Sequence, residues 1–376
     1  MDLSIDLLEF LNANSYEQSM FRKAIYNSDK KLMSKLIKTH SSLKDQVLHV
    51  AAHLGNINIL KEYIHAGADV NKIGAEEENC FTPLQRAVSE NQFHAVKWLV
   101  QTGANVNADY QGRCHGNCLT LNIAINNYPE NLEMIDFLLN NGADVNKSCD
   151  RCYTPLIKAI QDHQQEIIQV LLKFDADVNL SCNYFGDKVT PLYMAAKQNQ
   201  LETVKVLLSR NANVQAITAN RNQSVLHGAI PLASQEVVEC LLSAGVDLNI
   251  VDSSDKTVVD LGRHTNYRLI PTIKEHLVKM KAAGLHLSER NLEVINHQEF
   301  DKVLDSCSKE VELMKKFRIA HTRVFFHDLL NTSAQSVALK FKCVKEENIV
   351  NYREKFPLYA NLIDYRLKQV LIRQDR

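Results

Sequence analysis

Two short signatures recur in this chain at a locked spacing, and no other feature restricts its fold as strongly. The segments FTPLQRAV, YTPLIKAI and VTPLYMAA carry Thr-Pro-Leu at Thr82, Thr154 and Thr190. Weaker copies begin at Gln46 (QVLHVA), Leu119 (LTLNIA), Ser224 (SVLHGA) and Thr257 (TVVDLG). Successive starts lie 36, 37, 35, 36, 34 and 33 residues apart. The second signature, (G)A(D/N)VN, opens at Gly67, Gly103, Gly142, Asp175, Asn211 and Gly245, 21 residues after the first in five copies and 23 in the third. A chain built on such a period buries its apolar side chains by stacking each unit on its neighbours.

Both signatures have a physical reading. Thr before Pro sets an extended entry and puts Pro in the first helical turn, where its missing N–H costs nothing. The following Leu and Ala pack inward. A second helix in each unit shows apolar residues at helical spacing, as in AVKWLVQTGA, MIDFLLNNGA, IIQVLLKFDA and TVKVLLSRNA. Gly67, Gly103, Gly142 and Gly245 then fall just past that helix, where a left-handed residue ends it. Asp175 and Asn211 replace that Gly, which predicts slightly strained turns at these two places.

Two signatures at this offset resemble the ankyrin repeat, a helix–turn–helix unit with a β-turn finger. The expected fold is therefore an all-α ankyrin-repeat solenoid followed by a small helical C-terminal domain. Residues 1–45 are read as an N-terminal helical cap, because SMFRKAIYNSDKKLMSKLIKTH from Ser19 repeats the two-helix pattern without its Gly. About seven repeats fill 46–285, 286–299 is read as a linker, and 300–376 as the C-terminal domain.

Composition narrows the function classes. Lys plus Arg number 43 against 44 Asp plus Glu, a formal charge of −1, so no global pull toward nucleic acid or anionic membranes is expected. The opening MDLSIDLLEF has acidic residues where a secretory signal needs basic ones, and no apolar run reaches the ~18 residues of a membrane span. The nine cysteines are an odd, scattered set, pointing to reduced thiols rather than a disulfide framework. The expectation is an intracellular monomer, cytoplasmic with the nucleus also open, binding neither nucleic acid nor membrane.

Past Gly284 the period vanishes. Ser308 with Glu310 is read as a cap and a negative charge at a helix start, and Pro357 as opening the last helix, whose apolar face holds Leu358, Leu362, Ile363, Leu367, Val370 and Leu371. Ankyrin repeats, then a Cys-x-x-Glu…Met-Lys helix (Cys307, Glu310, Met314, Lys315), then Lys355-Phe356-Pro357-Leu358-Tyr359, resemble the PRANC region that follows ankyrin repeats in poxvirus, Wolbachia and parasitoid-wasp proteins. That resemblance implies an F-box-like element docking on the Skp-type adaptor of a cullin ubiquitin ligase while the repeats select a target. It makes Phe356, Pro357, Leu358, Leu362 and Ile363 the adaptor-facing positions. This sequence has Phe-Pro where an F-box has a Leu-Pro-like pair. The alternative is a scaffold or inhibitor that sequesters a signalling protein, such as a Rel/NF-κB-type factor, without a ligase.

No catalytic motif is present: the chain lacks a Gly-x-Ser-x-Gly elbow, a Walker loop and a Rossmann fingerprint. His49 and His53 sit four apart, but Val50 stands where a zinc protease has Glu, so both read as structural. Cys114 and Cys118, with Cys149 and Cys152, fall in adjacent fingers. A shared zinc with His115 as a spare ligand is one reading. Cys80 recurs in the first finger without a second Cys nearby, so reduced thiols without metal or cofactor is the reading taken. For target binding the aromatic and Arg side chains of the fingers, Tyr110, Arg113, Tyr184 and Phe185, are the expected anchors. Tyr153 is expected at a finger base, and Glu76, Glu77 and Glu78 as an acidic tip or plain solvated loop.

Overall fold

The computed structural model describes residues 15–39, 43–74, 81–108, 119–128, 130–148, 153–296, 298–319, 324, 326–331 and 352–372. Residues 1–183 and 184–376 form two compact units, taken in turn.

Among its described residues the first unit has five helix pairs: α1 (Ser15–Tyr26) with α2 (Lys30–Thr39), α3 (Leu43–His53) with α4 (Ile57–His65), α5 (Pro83–Ser89) with α6 (Phe93–Gln101), α7 (Thr120–Asn127) with α8 (Leu132–Asn140), and α9 (Pro155–Gln161) with α10 (Gln165–Lys173). First helices stack on first helices, from α1 through α9, and second helices pack against second helices. The Thr-Pro starts work as read, with one addition. Thr82 and Thr154 are extended, and each hydroxyl accepts the N–H three residues on, from Gln85 and Ile157, at 3.2 Å. The Thr is thus an N-cap as well as an entry residue. Behind it Leu84, Leu156, Ala87 and Ala159 are buried in the stack.

The second signature closes each unit onto the next. Asp69, Asn105 and Asp144 accept the N–H two residues later in their own turn. The Asn ending the signature reaches forward: Asn71 Oδ1 accepts the Asn105 N–H at 2.7 Å, Asn107 that of Asp144 at 2.8 Å and Asn146 that of Asp177 at 2.8 Å. These side chains satisfy turn amides that no helix or sheet partner reaches.

The second unit opens at Tyr184, the last residue of the strand β1 (Cys182–Tyr184), and runs through a tight turn into β2 (Asp187–Val189). The pairs α11 (Pro191–Lys197) with α12 (Leu201–Ser209), α13 (Val225–Ala229) with α14 (Gln235–Ser243), and α15 (Val258–Thr265) with α16 (Ile270–Ala282) follow. Thr190, Ser224 and Thr257 cap them as in the first unit. The predicted strained turns are left-handed: Asp175, in the first unit, has φ 58° and Asn211 φ 65°.

Residues 286–299 correct the linker expectation. Gly284 is left-handed at φ 75°, Leu287 is buried, and Asn249 Oδ1 accepts the Ser288 N–H at 2.7 Å. GLHLS from Gly284 is therefore a further, eroded copy of the second signature. Ser288 caps α17 (Glu289–Val294), whose buried Asn291 donates to the Leu248 carbonyl at 2.9 Å. The next helix, α18 (Asp301–Lys316), packs on α16 as second helices do elsewhere in this unit. The stacking thus carries on into the tail.

Beyond α18 lie α19 (Phe326–Asn331), α20 (Tyr352–Lys355) and α21 (Ala360–Ile372). They close a core containing Cys307, Val311, Met314, Phe326, Leu329, Phe356, Tyr359, Ile363 and Leu367, to which Ala283 of the last ankyrin repeat also belongs. Ser308 starts no helix: it lies in the middle of α18 and its hydroxyl donates back to the Leu304 carbonyl at 2.7 Å. Glu310 does meet a helix start, but of another helix, accepting the N–H groups of Leu358 and Tyr359 at 3.0 and 3.3 Å just before α21. Pro357 belongs to the turn leading in, and α21 begins at Ala360. Among the described residues no helix is long and apolar enough to cross a membrane.

Candidate functional site

The fourth residue of the first signature fixes where each finger stands. In the first unit His49 Nε2 lies 2.9 Å from the Lys72 carbonyl, Gln85 Nε2 donates to Ala108 at 3.1 Å, and Asn122 Nδ2 to Tyr153 at 2.9 Å. In the second, Tyr193 donates its hydroxyl proton to Gln223 Oε1 at 2.8 Å, and His227 Nε2 donates to Lys256 at 3.1 Å. Four residue types at five positions do one job, holding the root of the finger that follows. Burial pushes the Tyr193 phenol up to about 12 and lowers His227, so both stay neutral hydrogen-bonding groups. Gly228 is where α13 passes closest to that phenol: a methyl there would sit 2.6 Å from the Tyr193 ring.

The finger between Tyr184 and Thr190 is the best-defined candidate surface of the second unit. Its turn holds Phe185 at φ 47° and Gly186 at φ 82°, a two-residue hairpin turn in which both central residues are left-handed. Such turns favour Asn, Asp or Gly, and a bulky side chain at positive φ is strained. Phe185 is nonetheless 82% exposed, edge-on to Tyr184 with ring centroids 4.7 Å apart. The Lys197 ammonium lies 4.8 Å from the Tyr184 ring centroid.

Asp187 welds this finger to the next. Its buried carboxylate accepts the N–H of Lys188 and of Asn220, both at 2.9 Å, while Asn220 Nδ2 donates to the Gly186 carbonyl. Burial alone would raise this carboxyl, but the N–H groups of Asn220, Arg221 and Lys188 and the Thr218 hydroxyl together hold it below the usual carboxylate range. In the adjoining finger Ile217 is 50% exposed.

The structure therefore brings Tyr184 and Phe185 together. Tyr110, Arg113, Glu76, Glu77, Glu78 and the finger cysteines Cys80, Cys114, Cys118, Cys149 and Cys152, with His115, lie outside the described residues. Tyr153 is half-buried, and His53 Nδ1 is 3.2 Å from Glu90. Sequence reading missed Asp187, Lys197 and Arg221. Asp187 lay in the finger itself, but Lys197 ends α11 and Arg221 lies in the adjoining finger, so no local pattern marked them.

In the tail the five adaptor-facing positions divide. Phe356 and Ile363 are each 0% exposed, Leu358 and Leu362 are half-buried against the same core, and Pro357 is exposed. The assignment of Phe356 and Ile363 to an outward face is corrected: their apolar surface is consumed by the tail's own core, Phe356 meeting the rings of Phe317 and Phe326.

Helix pairs joined by hydrogen-bonded fingers at this period define a class. Family models for ankyrin repeats match residues 48–119, 114–182 and 175–252, more than half of the chain, and the chain belongs to the ankyrin-repeat proteins. It is 26% identical over 301 residues to an ankyrin repeat protein of fowlpox virus (strain NVSL), covering 74% of each chain. To an ankyrin repeat protein of Acanthamoeba polyphaga mimivirus it is 31% identical over 123 residues, 33% of this chain and 34% of that one, so it spans only about a third of that relative. Among solved structures, the human ASB11 ankyrin repeat domain superposes with a TM-score of 0.47 at 23% identity, over 61% of this chain and 96% of that one. The ankyrin repeat domain of Bcl-3 gives 0.46 at 23% identity, over 60% and 97%.

Proposed function

We propose that this chain is a non-enzymatic protein-binding adaptor whose repeats hold a target protein by their fingers, with Tyr184 and Phe185 in the contact and Tyr110 and Arg113 of an earlier finger in the same role. One observation carries the reading. Phe185 is an aromatic side chain exposed to water on a backbone conformation that disfavours it, and strain kept in a folded protein marks function more often than packing. Exposed aromatic anchors are the residues that dominate protein interfaces.

The tail's part in the proposal is to recruit a Skp-type adaptor and through it a cullin ubiquitin ligase. Its resemblance to the PRANC region supports this, with Pro357 and the half-buried Leu358 and Leu362 as the contact set. Affinity purification of the full chain from cells tests both halves, beside Tyr184→Ala with Phe185→Ala, and Pro357→Ala with Leu358→Ala, each checked by circular dichroism. The expected result is a target lost only in the finger variant and a Skp-type adaptor lost only in the tail variant. Undiminished target capture by the finger variant overturns the finger contact. A target captured with no adaptor leaves the sequestering inhibitor as the function.

A further inference from the structure

Phe185 holds a backbone conformation that its own side chain disfavours, and such strain persists only where the surroundings impose it. The adjoining finger imposes it. Asn220 donates its side-chain N–H to the carbonyl of Gly186, the second residue of the turn. Asp187, next in the chain, accepts the N–H groups of Asn220 and Arg221 and the Thr218 hydroxyl.

That finger (217–224) is held in its turn. Ile217 and Ser224 form an antiparallel bridge, and the Thr218 N–H donates to the Gln223 carbonyl at 2.9 Å. Toward the following finger (251–257), Asn222 Nδ2 donates to the Val251 carbonyl at 2.7 Å and the Ser253 N–H to the Arg221 carbonyl at 2.8 Å. There the Asp252 carboxylate accepts the N–H groups of Ser254 and Lys256 at 2.8 and 3.0 Å, with Asp255 left-handed at φ 59°. Beyond it stands α17, from which Arg290 donates to the Asp255 carbonyl at 2.8 Å and pairs with the Asp255 carboxylate.

We infer that Asn220 and Arg290 are positioning residues for the target contact: Asn220 fixes the Phe185 turn directly, and Arg290 fixes it through the two fingers between. The inference rests on the Phe185 finger being the target contact, and adds residues that govern its affinity from outside it. A side chain already held in its binding geometry loses less freedom when the partner arrives. In a stack where each unit touches only its neighbours, order at one finger passes to the next through bonds of this kind. Without the Asn220 clamp the turn relaxes away from positive φ and carries the Phe185 ring with it. Arg290 acts at a distance and partly through an exposed ion pair, so its effect is the smaller.

The test places 4-fluorophenylalanine at position 185 of the full chain and reads its fluorine resonance, beside the affinity of phage-displayed peptides selected on the full chain and released by Phe185→Ala. One narrow line is expected in the parent. It should broaden or split in Asn220→Ala and, less, in Arg290→Ala, and recover in Arg290→Lys. Glu310→Ala, which removes hydrogen bonds in the tail core instead, should leave it unmoved. The peptides should weaken about fivefold in Asn220→Ala and about twofold in Arg290→Ala. An unchanged line with unchanged affinity in both variants overturns the inference while the finger contact stands. A change in Asn220→Ala alone overturns the part given to Arg290, and an equal change in Glu310→Ala reduces both residues to general stability and overturns positioning. If no selected peptide needs Phe185, the finger contact itself is overturned.

Discussion

Phe185, Asp175 and Asn211 share a left-handed backbone for different reasons, and the difference is measurable. Asp175 and Asn211 stand where the other repeats use Gly, at a helix end where an acidic side chain also opposes the helix dipole. Asp175→Gly should stabilise the protein by roughly 0.5 kcal/mol in urea denaturation, and Asn211→Gly by less, because Asn tolerates this conformation better. At the finger tip, Phe185→Asn should add about 0.5–1 kcal/mol of stability by suiting the turn, yet weaken target binding. A variant stabilised without loss of binding would remove Phe185 from the contact. Helix starts and left-handed ends were readable because Thr, Pro and Gly act on their own backbone. The Asn ladder was not, since each Asn serves an amide more than thirty residues further on.

Helices in this chain are short, and what ends or begins them matters more than their propensity. The clearest case is α21. Leu358 and Tyr359 present N–H groups at its start, and the Glu310 side chain from α18 receives both. Burial raises the Glu310 carboxyl, an effect opposed by those N–H groups and by Lys279. Glu310→Ala should therefore cost about 1–3 kcal/mol by leaving buried donors unmet. Glu310→Gln, which keeps an acceptor oxygen, should cost clearly less by the same denaturation assay. Equal losses would show that charge, not hydrogen bonding, holds the helix. An amphipathic pattern gave the existence of this helix, but Phe356 and Ile363 read the same whether they face a partner or a core. Residues 286–299 passed for a linker because GLHLS has lost both the Asp and the Asn of its signature.

At the scale of the molecule, repeats and tail of the second unit share material: the Tyr359 hydroxyl donates to the Lys279 carbonyl at 2.8 Å, and α21 packs on α14. His276 on α16 is buried, and burial, helped by the Lys279 charge, lowers its pKa to about 4. Above about pH 6.5 it is neutral in folded and unfolded chains alike; as pH falls from there toward 4 only the unfolded chain takes the proton, so stability drops by up to ~1.4 kcal/mol per unit. His276→Gln should flatten that fall relative to the parent, and parallel profiles would deny it. The period and the buried Leu positions made the repeat fold legible, whereas the exposed, left-handed Phe185 is set by the hairpin turn it sits in, and only the folded chain shows that. The central claim is that a protein partner sits on the Phe185 finger. Placing p-benzoylphenylalanine at Phe185, and separately at the also exposed but unassigned Leu232, and irradiating cells expressing the full chain tests it directly. The account predicts a discrete crosslinked protein from position 185 and none from 232. Crosslinks from 232 alone, or the same product from both, would contradict it.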